Sequence, residues 1–192
     1  MIKFACGVLA TAAVAGFGLA PAAASAATTG QPALAYSSTI PGGGDPDTTV
    51  TFTVTSGLLT MTAPVSVNIG SGAPGTTIAG ALGAVTVTDD RALLSASWTS
   101  DASATAWTTG AGTPAETIAA GDVGYDPGAI TTTGTITATG TPITLSATPA
   151  AVVTGSAGVG DDTATWDPTL SVHVPASAVG GAYTGTVTDA FA

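Results

Sequence analysis

The chain has 192 residues, with 12 Asp and Glu against 2 Lys and Arg, a formal charge of −10. A surface this acidic repels phosphate backbones, which excludes nucleic-acid binding as its main task, and it disfavours a peripheral site on anionic lipid. Cys6 is the single cysteine, so no intrachain disulfide can form, and a His/Cys metal centre is excluded with one histidine, His173.

In chain order, the first segment reads as a targeting signal. Met1-Ile2-Lys3 is a short basic start, Phe4–Leu19 is apolar, and Ala24-Ser25-Ala26 is a small-x-small cleavage site. Residues 1–26 are therefore read as a secretory signal peptide. Cleavage removes Lys3 and Cys6. That leaves Arg91 as the one Lys or Arg against twelve carboxylates, a formal charge of −11. The mature chain is expected outside the cell, with no membrane insertion once the signal is gone. Residues 27–47, with Pro41-Gly42-Gly43-Gly44 and Asp45-Pro46-Asp47, read as a Gly/Pro-rich leader.

Residues 48–192 read as one domain. Val50, Phe52 and Val54 alternate with threonines over Thr48–Thr55, the clearest period of two in the sequence and hence the clearest predicted strand. Further strands are expected at Leu58–Ala63 and Val65–Ile69. Gly70–Gly83 is expected to be a loop with at most a short bridge near Ile78. Ala84–Thr88 and Leu93–Ser100 read as strands joined by a turn at Asp89-Asp90-Arg91, with Leu94, Ala96 and Trp98 on one face. A short strand is expected at Glu116–Ala119. Thin Thr-rich strands follow near Ile130, Ile136, Ile143–Leu145 and Val152-Val153, then a turn-rich loop over Gly155–Asp162. Leu170/Val172/Val174 and Tyr183/Val187 mark two alternating runs separated by Pro175 and Gly180-Gly181, which reads as a closing hairpin. No helical period occurs outside the signal. The expected fold is all-β: an antiparallel β-sandwich without disulfides, with Greek-key, immunoglobulin-like connectivity as the prior for such a strand pattern.

The residues offer little for catalysis. There is no G-x-S-x-G elbow, no P-loop lysine and no distinguished carboxylate pair, so no enzyme is expected. No cofactor is expected other than calcium. The paired aspartates Asp89/Asp90 and Asp161/Asp162 offer hard oxygen ligands in predicted loops, which suit that ion, although Asp is equally an ordinary turn residue. Trp98 and Trp166 share parity with apolar neighbours and belong in the core. Trp107 and Tyr125 fall outside the confident strands and are the candidates for exposed aromatics that stack on a ligand.

Several segments, in order, carry a resemblance: Leu58-Leu59-Thr60-Met61-Thr62-Ala63-Pro64, Val85-Thr86-Val87-Thr88-Asp89-Asp90-Arg91, Ser97-Trp98-Thr99, Val123-Gly124-Tyr125-Asp126-Pro127-Gly128, Ala164-Thr165-Trp166-Asp167-Pro168, and Gly181-Ala182-Tyr183-Thr184-Gly185-Thr186-Val187-Thr188. Together they resemble the WxL-domain surface proteins of Gram-positive bacteria in their divergent actinobacterial form. The family's Trp-x-Leu reads Trp98-Thr99-Ser100 here, and Thr188-Asp189-Ala190 stands where its second copy would fall. The resemblance implies a secreted, non-catalytic domain attached non-covalently to the cell wall. Peptidoglycan or other surface proteins would be its partners. The alternative from the residues is a freely secreted protein–protein interaction or adhesion module using an open sheet edge.

Overall fold

The computed structural model describes residues 48–191, so the expected signal peptide and leader lie outside the described residues. The chain divides into the units Met1–Val50 and Thr51–Ala192, and every element below belongs to the second. Twelve strands form in it: β1 (Leu59–Thr62), β2 (Thr77–Ala81), β3 (Val85–Ala104), β4 (Trp107–Thr108), β5 (Thr117–Ile118), β6 (Val123–Asp126), β7 (Ile130–Thr133), β8 (Thr137–Gly140), β9 (Ile143–Thr144), β10 (Ala150–Trp166), β11 (Thr169–His173) and β12 (Val187–Phe191). Two short 3-10 turns, Pro114–Glu116 and Ala120–Asp122, are the only helical pieces among the described residues.

The fold is the expected antiparallel all-β architecture. One sheet runs β1-β3-β10-β7, with β12 also on β3 and β8 also on β10. The second runs β2-β11-β6-β9, and β4-β5 form a separate two-stranded ribbon. Every pairing is antiparallel. The core lies between the two larger sheets. Val85, Val87, Trp98, Ala164 and Trp166 come from the first, and Val123, Tyr125, Leu170 and Val172 from the second. Trp98 and Trp166 stack at its centre, with ring centroids 6.3 Å apart and planes 15° from parallel. Gly155 lies directly across from Trp98 in the sheet, and a Cβ there would sit 2.4 Å from the indole, so the ring covers a position that only glycine can occupy.

The main departure from the sequence reading is that β3 and β10 are long. The expected turn at Asp89-Asp90-Arg91 and the expected loop over Gly155–Asp162 are both strand. Each strand is bent by irregular residues instead. Ala92 (φ 53°) interrupts β3, Ala157 (φ 58°) and Gly160 (φ 79°) interrupt β10, and the register between them slips several times. A bulge inserts an unpaired residue and so reverses which parity faces inward. In β3 the buried positions are Val85, Val87 and Asp89 before Ala92, then Ala96, Trp98, Ser100, Ala102 and Ala104 after it. Turn-forming residues thus mark bulges here, not chain reversals. Leu94, beside the bulge, is 85% exposed, although Ala96 and Trp98 are buried as expected.

Other expectations also fail. Thr48–Thr55 joins no sheet among the described residues: Val50, Phe52 and Val54 are 79%, 87% and 75% exposed. Val65–Ile69 is not a strand, and Val65 is fully exposed. Gly70–Gly83 contains the whole of β2, which pairs with β11 from Thr77↔His173 to Ala81↔Thr169. The closing hairpin does not form, because β11 and β12 enter different sheets.

Candidate functional site

A groove with a volume of about 1060 Å³ opens along one side of the domain. Residues 63–72 and 178–189 line it, and neither is regular strand until β12 begins at Val187. Leu170, Val172 and Val174, the inward positions of β11 and its continuation, reach into it from the core. Its one carboxylate is Asp189.

Two aromatic residues line this groove, Trp107 and Tyr183. Trp107 is placed by β4, whose neighbour Thr108 forms a bridge to Thr184. Its ring packs on the backbone of Gly185, where a Cβ would lie 2.7 Å from the indole. The residue is half-buried, consistent with one side against the protein and the other toward the groove. The hydroxyl of Tyr183 lies within hydrogen-bond distance of the carbonyls of Val179 (2.9 Å) and Ala115 (3.1 Å), which ties the irregular segment 178–184 to the 3-10 turn Pro114–Glu116. The sequence does not mark Tyr183 as a site residue, because its parity with Val187 reads as core. The signal that could have found it is Gly180-Gly181 just before it and Gly185 just after, which break the strand and open the backbone around the ring.

Tyr125 does not join this site. It is 1% exposed and sits in the core on β6. Trp166 Nε1 donates to its hydroxyl (3.1 Å), and that hydroxyl donates to Asp189 Oδ1 (3.1 Å). Burial raises the Tyr125 pKa far above its ordinary value, with the nearby Asp189 charge adding to the rise and the Trp166 bond opposing it. Burial also raises the Asp189 pKa, against a smaller lowering by the tyrosine hydroxyl. The tyrosine therefore carries the polar end of the core out to the groove carboxylate. The sequence suggested an exposed ring because Gly124 and Asp126-Pro127-Gly128 flank it like a loop. The chain there is in fact a central strand, between β11 and β9.

The four aspartates expected to gather in loops lie on two adjacent strands instead. Asp89 and Asp162 are cross-strand partners and both are buried, 1% and 2% exposed. Asp90 and Asp161 are exposed, at the alternate positions of the same strands. Each buried carboxylate has its own protein partners. Arg91 grips Asp89 through Nε to Oδ1 (2.8 Å) and Nη2 to Oδ2 (2.7 Å), with its backbone N–H also on Oδ1. That pairing lowers the Asp89 pKa, against the opposing effect of burial. Asp162 Oδ1 accepts the backbone N–H groups of Thr135 (2.6 Å) and Ile136 (3.0 Å), closing the turn between β7 and β8. Among the described residues no group of three or more His, Cys, Asp or Glu side chains is placed to hold a metal ion. The Arg91–Asp89 ion pair is thus half-buried and two-pronged. His173 is exposed on the outer face of β11, as its parity implied.

No family model, no curated protein and no solved structure matches this chain. No helix among the described residues is long and apolar enough to cross a membrane.

Proposed function

We propose that this chain is a secreted, non-catalytic module that associates non-covalently with the bacterial cell wall, with peptidoglycan as its ligand. The observation that carries the reading is the groove lined by Trp107 and Tyr183. Aromatic faces beside hydroxyl- and amide-bearing residues (Ser66, Asn68, Ser71 and Thr184) are what a neutral glycan or short peptide stem needs for stacking and hydrogen bonding. With Asp189 as the groove's one carboxylate, attraction has to come from such contacts and not from charge. The order of segments resembling the WxL-domain surface proteins adds to it, although the Trp98 that matches the family's Trp-x-Leu is a core residue and can only support the wall contact indirectly. The experiment is co-sedimentation with purified Gram-positive wall, with a chelator control. Wild type pellets, more strongly as salt screens the repulsion between the acidic protein and anionic wall polymers. Trp107→Ala stays in the supernatant while keeping a cooperative melt. A wild-type protein that never pellets at any salt concentration sinks the reading. The alternative, a secreted protein–protein interaction module, is favoured by a separate observation, the exposed apolar segment around Phe52 and Val54.

A further inference from the structure

Strand β3 has one covered edge and one interrupted edge. On the first, β10 pairs with it from Val85↔Trp166 to Ala102↔Ala150. On the other, β1 pairs with Thr86–Asp89 and β12 with Ser100–Ala104. Gly57 and Leu58 extend the β1 pairing by one step, through Gly57 N–H to Asp90 O (2.6 Å) and Asp90 N–H to Leu58 O (3.0 Å). From Arg91 to Thr99, no strand pairs with this edge among the described residues. An interrupted edge is a template for another strand, and folded proteins normally blunt it with charge, proline or cover. Here Ala92–Thr99, ALLSASWT, has neither charge nor proline, and Leu93 and Leu94 are exposed beside it. The single guard is Arg91, whose Nη2 donates to Ser97 O (2.9 Å).

The same chain carries a segment with a strand's alternation that joins no sheet among the described residues. Thr51–Ser56, TFTVTS, alternates apolar residues with Thr, contains no charge, and exposes Phe52 and Val54 almost completely. It ends at Gly57, where the pairing with β3 stops. The bulge at Ala92 bends β3 immediately beyond that point. A segment tethered at Gly57 and continuing the line of β1 is therefore carried past the open edge of its own β3. A segment from another molecule has no such tether and can enter at any register. Charge selects the same contact. Two secreted copies at −11 each repel wherever their acidic surfaces face, so association is favoured through charge-free surface.

We propose that two copies of this chain pair by strand addition, Thr51–Ser56 of each lying along the Ala92–Thr99 edge of β3 in the other. The arrangement is self-complementary and closes as a two-fold dimer. The incoming backbone takes over Ser97 O from Arg91, which keeps its hold on Asp89. This inference does not rest on the wall reading and uses a surface outside the groove.

The test is analytical ultracentrifugation of the secreted chain over a concentration series, with a thermal melt of each variant. Thr53→Pro removes a donor from the middle of the donated strand. Phe52→Asp with Val54→Asp places two charges in it. Both lie outside the paired sheets, so both should melt as wild type does at concentrations low enough for wild type to be monomeric. Wild type is expected to dimerise reversibly, and each variant to weaken the dimer at least about tenfold. A wild type that is monomeric throughout overturns the proposal, as does a dimer that neither variant weakens. A monomer whose melting temperature falls on Thr53→Pro also overturns it, because the segment would then be closing the edge of its own chain.

Discussion

Asp162 gives the sharpest separation between a structural carboxylate and an ion ligand. Its Oδ1 accepts two backbone N–H groups, from Thr135 and Ile136, while its Oδ2 is buried with no hydrogen-bond partner. Truncation in Asp162→Ala orphans both donors. The orphaned Ile136 N–H is buried and costs about 1–3 kcal/mol; the Thr135 N–H is part-buried and costs less, so the two together cost about 3 kcal/mol. Removing the unpartnered oxygen returns roughly 1–2 kcal/mol of desolvation. The net loss is about 1–2 kcal/mol, a fall in melting temperature of roughly 3–8 °C for a domain of this size. Asp162→Asn keeps the Oδ1 acceptor and should lose much less. The assay is a thermal melt by circular dichroism, run with millimolar calcium and with chelator. Capping requires that neither addition move the wild-type melt, whereas a bound ion at a hundred times its dissociation constant would add about 2.7 kcal/mol. An unchanged melt for Asp162→Ala, or a wild type that calcium raises by several degrees, refutes the capping argument.

Further outcomes follow from the core and from Asp189. Trp98→Ala removes half of the stacked indole pair and should cost about 3–5 kcal/mol in a urea melt; a midpoint equal to wild type would mean that the ring is not in the core. Gly155→Ala forces a Cβ into the same indole and should cost about 1–3 kcal/mol, which the same melt reads. Asp189 has its folded pKa raised by burial, so its contribution to stability is fully present below the unfolded value of 3.8 and is lost as pH rises through the raised one. Asp189→Asn should therefore melt above wild type at neutral pH and match it at strongly acidic pH. A variant less stable than wild type at neutral pH would show that the Tyr125 bond outweighs the burial.

The parts of the fold that were legible in the sequence are those where one local rule acts alone. Leu170, Val172 and Val174 alternate without interruption, and β11 with its continuation buries them as the period demands. Trp166 and Trp98 have no polar reason to be outside, and both are inside. The reading failed where two rules compete. Asp89-Asp90-Arg91 has turn composition, but cross-strand pairing with β10 and the salt bridge to Arg91 keep the chain extended through it. Gly155, Gly158 and Gly160 look like a loop, yet Gly155 is needed under an indole, Gly158 is closed in by Asp162, and Gly160 sits at a bulge. Thr48–Thr55 has the best strand pattern and no partner among the described residues, because periodicity reports what a segment can bury and not whether a neighbour is there to receive it. Trp107 was legible as an aromatic with one open side. Tyr125 was not, because the loop-like residues around it flank a short central strand.

The pairing of β3 with β10 also governs how quickly this domain can form. Partners in that ladder are about 50–80 residues apart in the chain, and β1, β12, β7 and β8 all dock onto one or other of the two strands. Little of the first sheet can be gained in increments, since loop-closure entropy is spent before the long ladder returns anything. Refolding from denaturant should therefore be slow for a chain of this length, in the millisecond-to-second range typical of sandwiches dominated by non-local contacts. During that interval both long strands have every edge bare, and their uncharged runs, Ala92–Thr99 and Ala150–Gly160, are the stretches on which misassembly between chains would begin.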